Sequence, residues 1–64
     1  MDAGHVALEK WLAARKWTQR QLALRLHVNE ARVSRLVSGD VKPTLEQAVE
    51  LERVTGIAPR RWVA

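Results

Sequence analysis

An all-helical domain of five short helices is what the sequence predicts, on three observations. N-capping residues and helix breakers recur at helix-length intervals, β-branched residues almost never alternate with polar ones, and apolar residues between breakers fall on single helix faces. The composition agrees, since 64 residues that are 47% hydrophobic and 28% charged describe a small globular unit, not a disordered segment. A chain this short holds one core at most. Having no cysteines and hence no disulfides, it must rely on dense helix packing or association for stability.

The first helix is expected from about His5 to Lys16, with Leu8, Trp11 and Leu12 on one face. Thr18 reads as the N-cap of a second helix, Gln19 to Leu26, which buries Leu22, Ala23 and Leu26. Asn29 caps a third, Glu30 to Ser38, and Gly39 supplies a left-handed stop. Residues 40–43 form a loop. Thr44 caps a fourth helix, Leu45 to Thr55, which Gly56 terminates, and Pro59 starts a last short turn through Trp62. No repeat or linker interrupts residues 1–64, which read as one domain. Only His27 and Val28 separate Leu26 from the next cap, so the second and third helices must cross steeply and the third stands out as a rigid rod.

Several function classes are excluded by composition. No apolar run is long enough to span a membrane and no secretory signal opens the chain, so a cytoplasmic location is expected. Two histidines, two serines, three threonines and scattered carboxylates assemble no nucleophile–base–orienter set, so the chain is not expected to be an enzyme. Gly4, Gly39 and Gly56 are too dispersed for a phosphate-cradling loop, and no cofactor, metal site or small-molecule pocket is expected. The formal net charge is +4, concentrated in residues 10–42, where eight bases face Glu30 and Asp40. A positive middle between neutral flanks suits a polyanion, although a solvated basic face gives the same balance.

The third helix carries the clearest functional pattern. Val33, Leu36 and Val37 fall on one side, and Glu30, Ala31, Ser34, Arg35 and Ser38 on the other, with Arg32 on the border. A short, polar, donor-rich face with a small residue at its centre fits a B-DNA major groove, which is about 12 Å wide and admits one helix.

The stretch TQRQLALRLHVNEARVSRLVSG, followed by a proline and a capped helix, resembles the helix-turn-helix of the phage Cro/repressor (XRE-type) regulators. The resemblance runs from about Leu8 to Trp62, and the closing LERVTGIAPRRW is similar to the YdaS-type branch, small regulators of prophages and some toxin–antitoxin loci. It implies a compact five-helix, lambda-repressor-like DNA-binding domain with the helix-turn-helix at the second and third helices. By resemblance, Glu30, Ala31, Ser34 and Arg35 meet base edges. Gln19, Arg20, Asn29, Arg32, Ser38 and Lys42 meet the DNA backbone, Gln19 at a helix N-terminus that itself favours an anion. Arg35 is expected to fork onto a guanine. Glu30 either accepts from a cytosine amino group or merely complements the helix dipole, and Ala31 offers apolar contact to a thymine methyl.

This chain departs from the family pattern at several positions. His27 stands where the family usually has a left-handed glycine, and it reads as turn filler that tolerates strain rather than as a pH sensor or metal ligand, with His5 placed in a mobile amino terminus. Leu12 and Val37 replace a salt-bridged Arg and Glu, so these two side chains should approach each other in the core. The helix wheels also suggest a new Arg15–Glu52 pair, with Glu52 amid Leu45, Ala48 and Val49. Trp11 and Trp17 read as core, and Trp62 as closing the core or a dimer seam. Leu24 points away from Leu22 and Leu26, as an ordinary exposed leucine or a protein contact.

The expected mechanism is occupancy of a double-stranded operator by a homodimer, because one such module buries only about 600–1,000 Å² on DNA. Two-fold half-sites would lie about 34 Å apart. The seam is expected in the segment after Gly39 together with Ile57, Trp62 and Val63. Repression follows from blocking polymerase. The alternative is an antitoxin that grips a toxin and also represses its own operon. The initiating Met1 and the ending at Ala64, directly after the last turn, favour a complete stand-alone repressor.

Overall fold

A side chain satisfies the first free amides of three helices, and the backbone turns left-handed where each helix stops. A computed structural model, which describes residues 3–63, contains α1 (Gly4–Arg15), α2 (Gln19–Leu26), α3 (Glu30–Ser38) and α4 (Leu45–Thr55), then a 3-10 turn at Pro59–Trp62. The expected fifth helix is thus a single tight turn. Thr18 Oγ1 accepts from the Gln21 amide at 3.1 Å while Gln21 Oε1 accepts from the Thr18 amide at 2.8 Å, a reciprocal capping box. Thr44 and Gln47 repeat the box at α4, each bond 3.2 Å, and Asn29 Oδ1 caps α3 through the Arg32 amide at 2.8 Å.

The helix ends turn at Lys16, His27, Gly39 and Gly56, with φ of 56°, 58°, 85° and 79°. His27 therefore adopts the left-handed conformation expected of it, and Lys16 does the same without a sequence signal. A side chain in this region costs about 1–2 kcal/mol. His27→Gly is expected to raise the melting temperature by a few degrees in a thermal scan, at about 4–8 °C per kcal/mol for a domain this small. An unchanged midpoint would mean that the imidazole recovers the strain through its own contacts.

Leu8, Leu22, Leu36 and Leu51, one from each helix, are fully buried and form the centre of the core with Val33. Around this centre α3 packs on α1 and α2, α4 packs on α2 and the closing turn, and that turn reaches back to α1. Leu12 is buried and Val37 is half-buried against the same cluster, so both residues that depart from the family's charged pair lie in the core.

Several expectations are corrected. Ile57, expected at a seam, is only 7% exposed and belongs to the core, and Trp62, also 7% exposed, takes the core position of the two alternatives expected for it. Gly4 explains how Trp62 gets in: a Cβ there would stand 2.5 Å from the indole Cδ2, so only glycine lets the ring lie on the first turn of α1. His5 is held in α1, half-buried, with its ring 3.0 Å from where a Cβ on Gly39 would stand, not in a loose terminus.

The Arg15–Glu52 pair does not form. Arg15 ends α1 beyond the last core leucine, where its guanidinium lies over the Trp11 ring at 5.6 Å, and Glu52 is exposed. The buried stripe of α4 is Ala48 and Leu51, which turns Leu45 and Val49 outward with Glu52. Water solvates both charges, so neither needs a buried partner.

Candidate nucleic-acid interface

The outer face of α3 presents Glu30, Ala31, Ser34, Arg35 and Ser38, all exposed, while Val33 and Leu36 behind them are fully buried. Burial of one face fixes the rotation of the helix, so the four residues expected at base edges share one accessible surface. The Arg35 guanidinium has no internal hydrogen bond or ion pair among the described residues, and its five donors are free for a ligand. Glu30 lies in the first turn of α3, where a carboxylate complements the positive end of the helix.

The residues expected at the DNA backbone divide into two groups. Gln19 begins α2, half-buried, and Arg20 beside it is exposed. Lys42 is exposed in the loop before α4, with its ammonium uncommitted among the described residues. Asn29 spends its Oδ1 on capping α3, which leaves its amide N–H groups to donate outward. Ser38 and Arg32 instead spend their polar groups inside the protein, Ser38 on the exposed end of α3 and Arg32 half-buried. Ser38 Oγ donates to the Arg35 carbonyl at 3.1 Å and accepts from the Asp40 amide at 3.4 Å, closing the end of α3. Arg32 Nη2 donates to Gln47 Oε1 at 2.8 Å and to the Lys42 carbonyl at 3.2 Å, and its Nε is buried without a partner.

That linkage ties α3, the loop and the start of α4 together. The Arg35 carbonyl accepts from the Gly39 and Asp40 amides, so the residue with the most outward donors also anchors the loop that carries Lys42. Gln47 was not anticipated, although Thr-x-x-Gln at 44–47 and at 18–21 is a readable capping-box signature. The inward turn of Arg32 had no such signal, because a border position on a helix wheel is compatible with either direction.

The tryptophans sit off α3. Trp11 and Trp17 meet edge to face, with centroids 5.1 Å apart, half-buried against the core at the corner of α1 and α2, where Arg25 covers the Trp17 ring. Leu24 is exposed, as its position on α2 implied. Among the described residues no His, Asp or Glu cluster is placed to hold a metal ion, and no helix is long and apolar enough to cross a membrane.

Two short capped helices with a tight left-handed turn between them, the second resting on the first and presenting a polar outer face, define a helix-turn-helix DNA-binding domain. The helix-turn-helix family model of the XRE type matches residues 8–62, and the chain belongs to that family. No curated protein and no solved structure gave a significant match.

Proposed function

We propose that this chain is a sequence-specific transcriptional repressor of the phage Cro type, acting as a single domain in the cytoplasm of a bacterium and using no cofactor, metal or catalytic step. The observation that carries this is the outer face of α3, where an unpartnered Arg35 stands beside Glu30, Ala31 and Ser34 on a helix locked in rotation by Val33 and Leu36. Arg35 forks onto a guanine, Ser34 and Glu30 read neighbouring edges, and Ala31 lets the helix approach. Gln19, Arg20, Asn29 and Lys42 hold the phosphates on either side. The similarity to the YdaS-type branch rests on the closing segment alone.

Affinity requires two copies on a two-fold operator. Because Ile57 and Trp62 are buried, the seam we propose uses Leu45, Val49 and Val63, which are 77%, 41% and 70% exposed. Leu45 and Val63 flank a shallow apolar groove of about 340 Å³ floored by Pro43, Ala48, Pro59 and Trp62. A two-fold contact offers each groove the same residues from the other copy. Leu45→Glu is expected to leave the monomer folded, remove concentration-dependent dimerisation in sedimentation, and weaken operator binding at least 10-fold. Normal dimerisation of that variant would place the seam elsewhere.

Selection of bound sequences from a random duplex library, with the stoichiometry of the winner measured by mass in solution, tests the function. A palindrome bound by two protomers is expected. A profile without preferred sequence would refute specific regulation and favour the second reading, an antitoxin-like module that grips another protein, for which exposed Leu24 is the motivating feature.

A further inference from the structure

Arg32 is the one basic residue of the recognition helix whose guanidinium is committed to the protein itself. Both protons of Nη2 are used, one on Gln47 Oε1 and one on the Lys42 carbonyl. Nε, buried and unpartnered, is closed to any ligand. A forked bond to phosphate uses two adjacent N–H groups, either Nε with one Nη or the two Nη together. The Nη1–Nη2 edge is blocked by the bonds at Nη2, and every edge that includes Nε is blocked by its burial. Arg32 therefore cannot make a forked bond to a phosphate without first releasing the loop, and only Nη1 is left to donate.

We infer that Arg32 is a positioning residue: it fixes the Lys42 loop and the first turn of α4 at a set distance from α3, so that Lys42 meets its phosphate only when Arg35 is in register with the bases. This rests on the DNA-binding role proposed above. Three details support it. The Lys42 carbonyl is held while its ammonium has no partner among the described residues. Gln47 Oε1 serves Arg32 and the α4 cap together, so the strut and the helix start share one acceptor. The other end of the loop is pinned on the Arg35 carbonyl, three residues along α3 from Arg32. The loop is thus suspended between one side chain that faces inward and the backbone of one whose side chain faces outward.

The test is a double-mutant cycle on operator DNA, with affinity measured across a range of salt concentrations for Arg32→Ala, Lys42→Ala and the combined variant. Arg32→Ala is expected to weaken binding roughly 10-fold per half-site, the scale of one charge-assisted hydrogen bond. It should reduce the salt slope by about one phosphate per half-site, as Lys42→Ala does. Because both changes remove the same contact, the combined variant should be little worse than Lys42→Ala alone. Losses that add, with the slope falling by two phosphates, would show that Arg32 holds a phosphate itself and overturn the inference.

Arg32→Gln serves where the alanine variant folds poorly, since it keeps an amide donor for the loop and removes the charge. The expected result is a salt slope equal to that of the wild type, and a slope reduced by one phosphate would again overturn the inference. Wild-type protein that binds no duplex would overturn the DNA-binding role and this inference with it, whereas additive losses in a protein that binds normally overturn this inference alone.

Discussion

Leu36→Ala is expected to remove a large share of the stability of the free protein. Leu36 is fully buried on the inner face of α3, in the same core cluster as Leu8, Leu22 and Leu51 of the other three helices. Truncating such a side chain costs about 2–5 kcal/mol, from lost transfer energy and the cavity left behind. A domain of 64 residues has a total stability of only about 3–10 kcal/mol. With no disulfide to compensate, the sigmoidal transition in helical circular dichroism should move down by at least about 10 °C. Operator DNA in excess should restore part of the loss, because a ligand that binds only the folded state stabilises it. A variant that melts within a few degrees of the wild type would show that α3 is not fixed by this core contact.

Arg35→Ala, one residue earlier on the opposite face, should do the reverse: leave the fold intact and remove sequence preference. Its side chain is exposed and makes no hydrogen bond, ion pair or ring contact among the described residues, so its loss leaves no buried orphan. A bidentate Arg–guanine pair discriminates by about 1–3 kcal/mol, or about 5- to 150-fold at each half-site. The affected base pair should become degenerate in a repeated selection experiment while binding to random duplex changes little. Gln19→Ala and Lys42→Ala should instead weaken all sequences about equally. If all three variants lost the same amount on operator and random duplex, the division between residues that read and residues that position would be wrong.

The helices and their limits were legible in the sequence because their determinants are local. A cap such as Thr18, Asn29 or Thr44 acts within one turn, and Gly39 and Gly56 stop a helix through their own backbone, so boundaries from α2 to the closing turn agree with the expected ones. The outer face of α3 was legible for a related reason, since nine residues with two faces of opposite character leave one choice of rotation.

Faces that depend on neighbours were not legible. On α4 the wheel grouped Leu45 and Val49 with Ala48, yet the helix docks on α2 and the closing turn through Ala48 and Leu51, leaving the other two outside. Where α1 ends relative to the core decided that Arg15 lies over Trp11 in water instead of pairing with Glu52.

Gly4 shows the division most plainly. By local propensity alanine is the better helix former by about 1 kcal/mol, and nothing nearby in sequence argues against it. The indole of Trp62, folded back from the far end of the chain, occupies the space a Cβ would need. The sequence by itself determined the elements and the exposed polar face of α3, through forces that act within a few residues. Only the tertiary structure decided where Trp62, Arg15, Arg32 and the apolar residues of α4 point, because each of those depends on packing between elements distant in the chain.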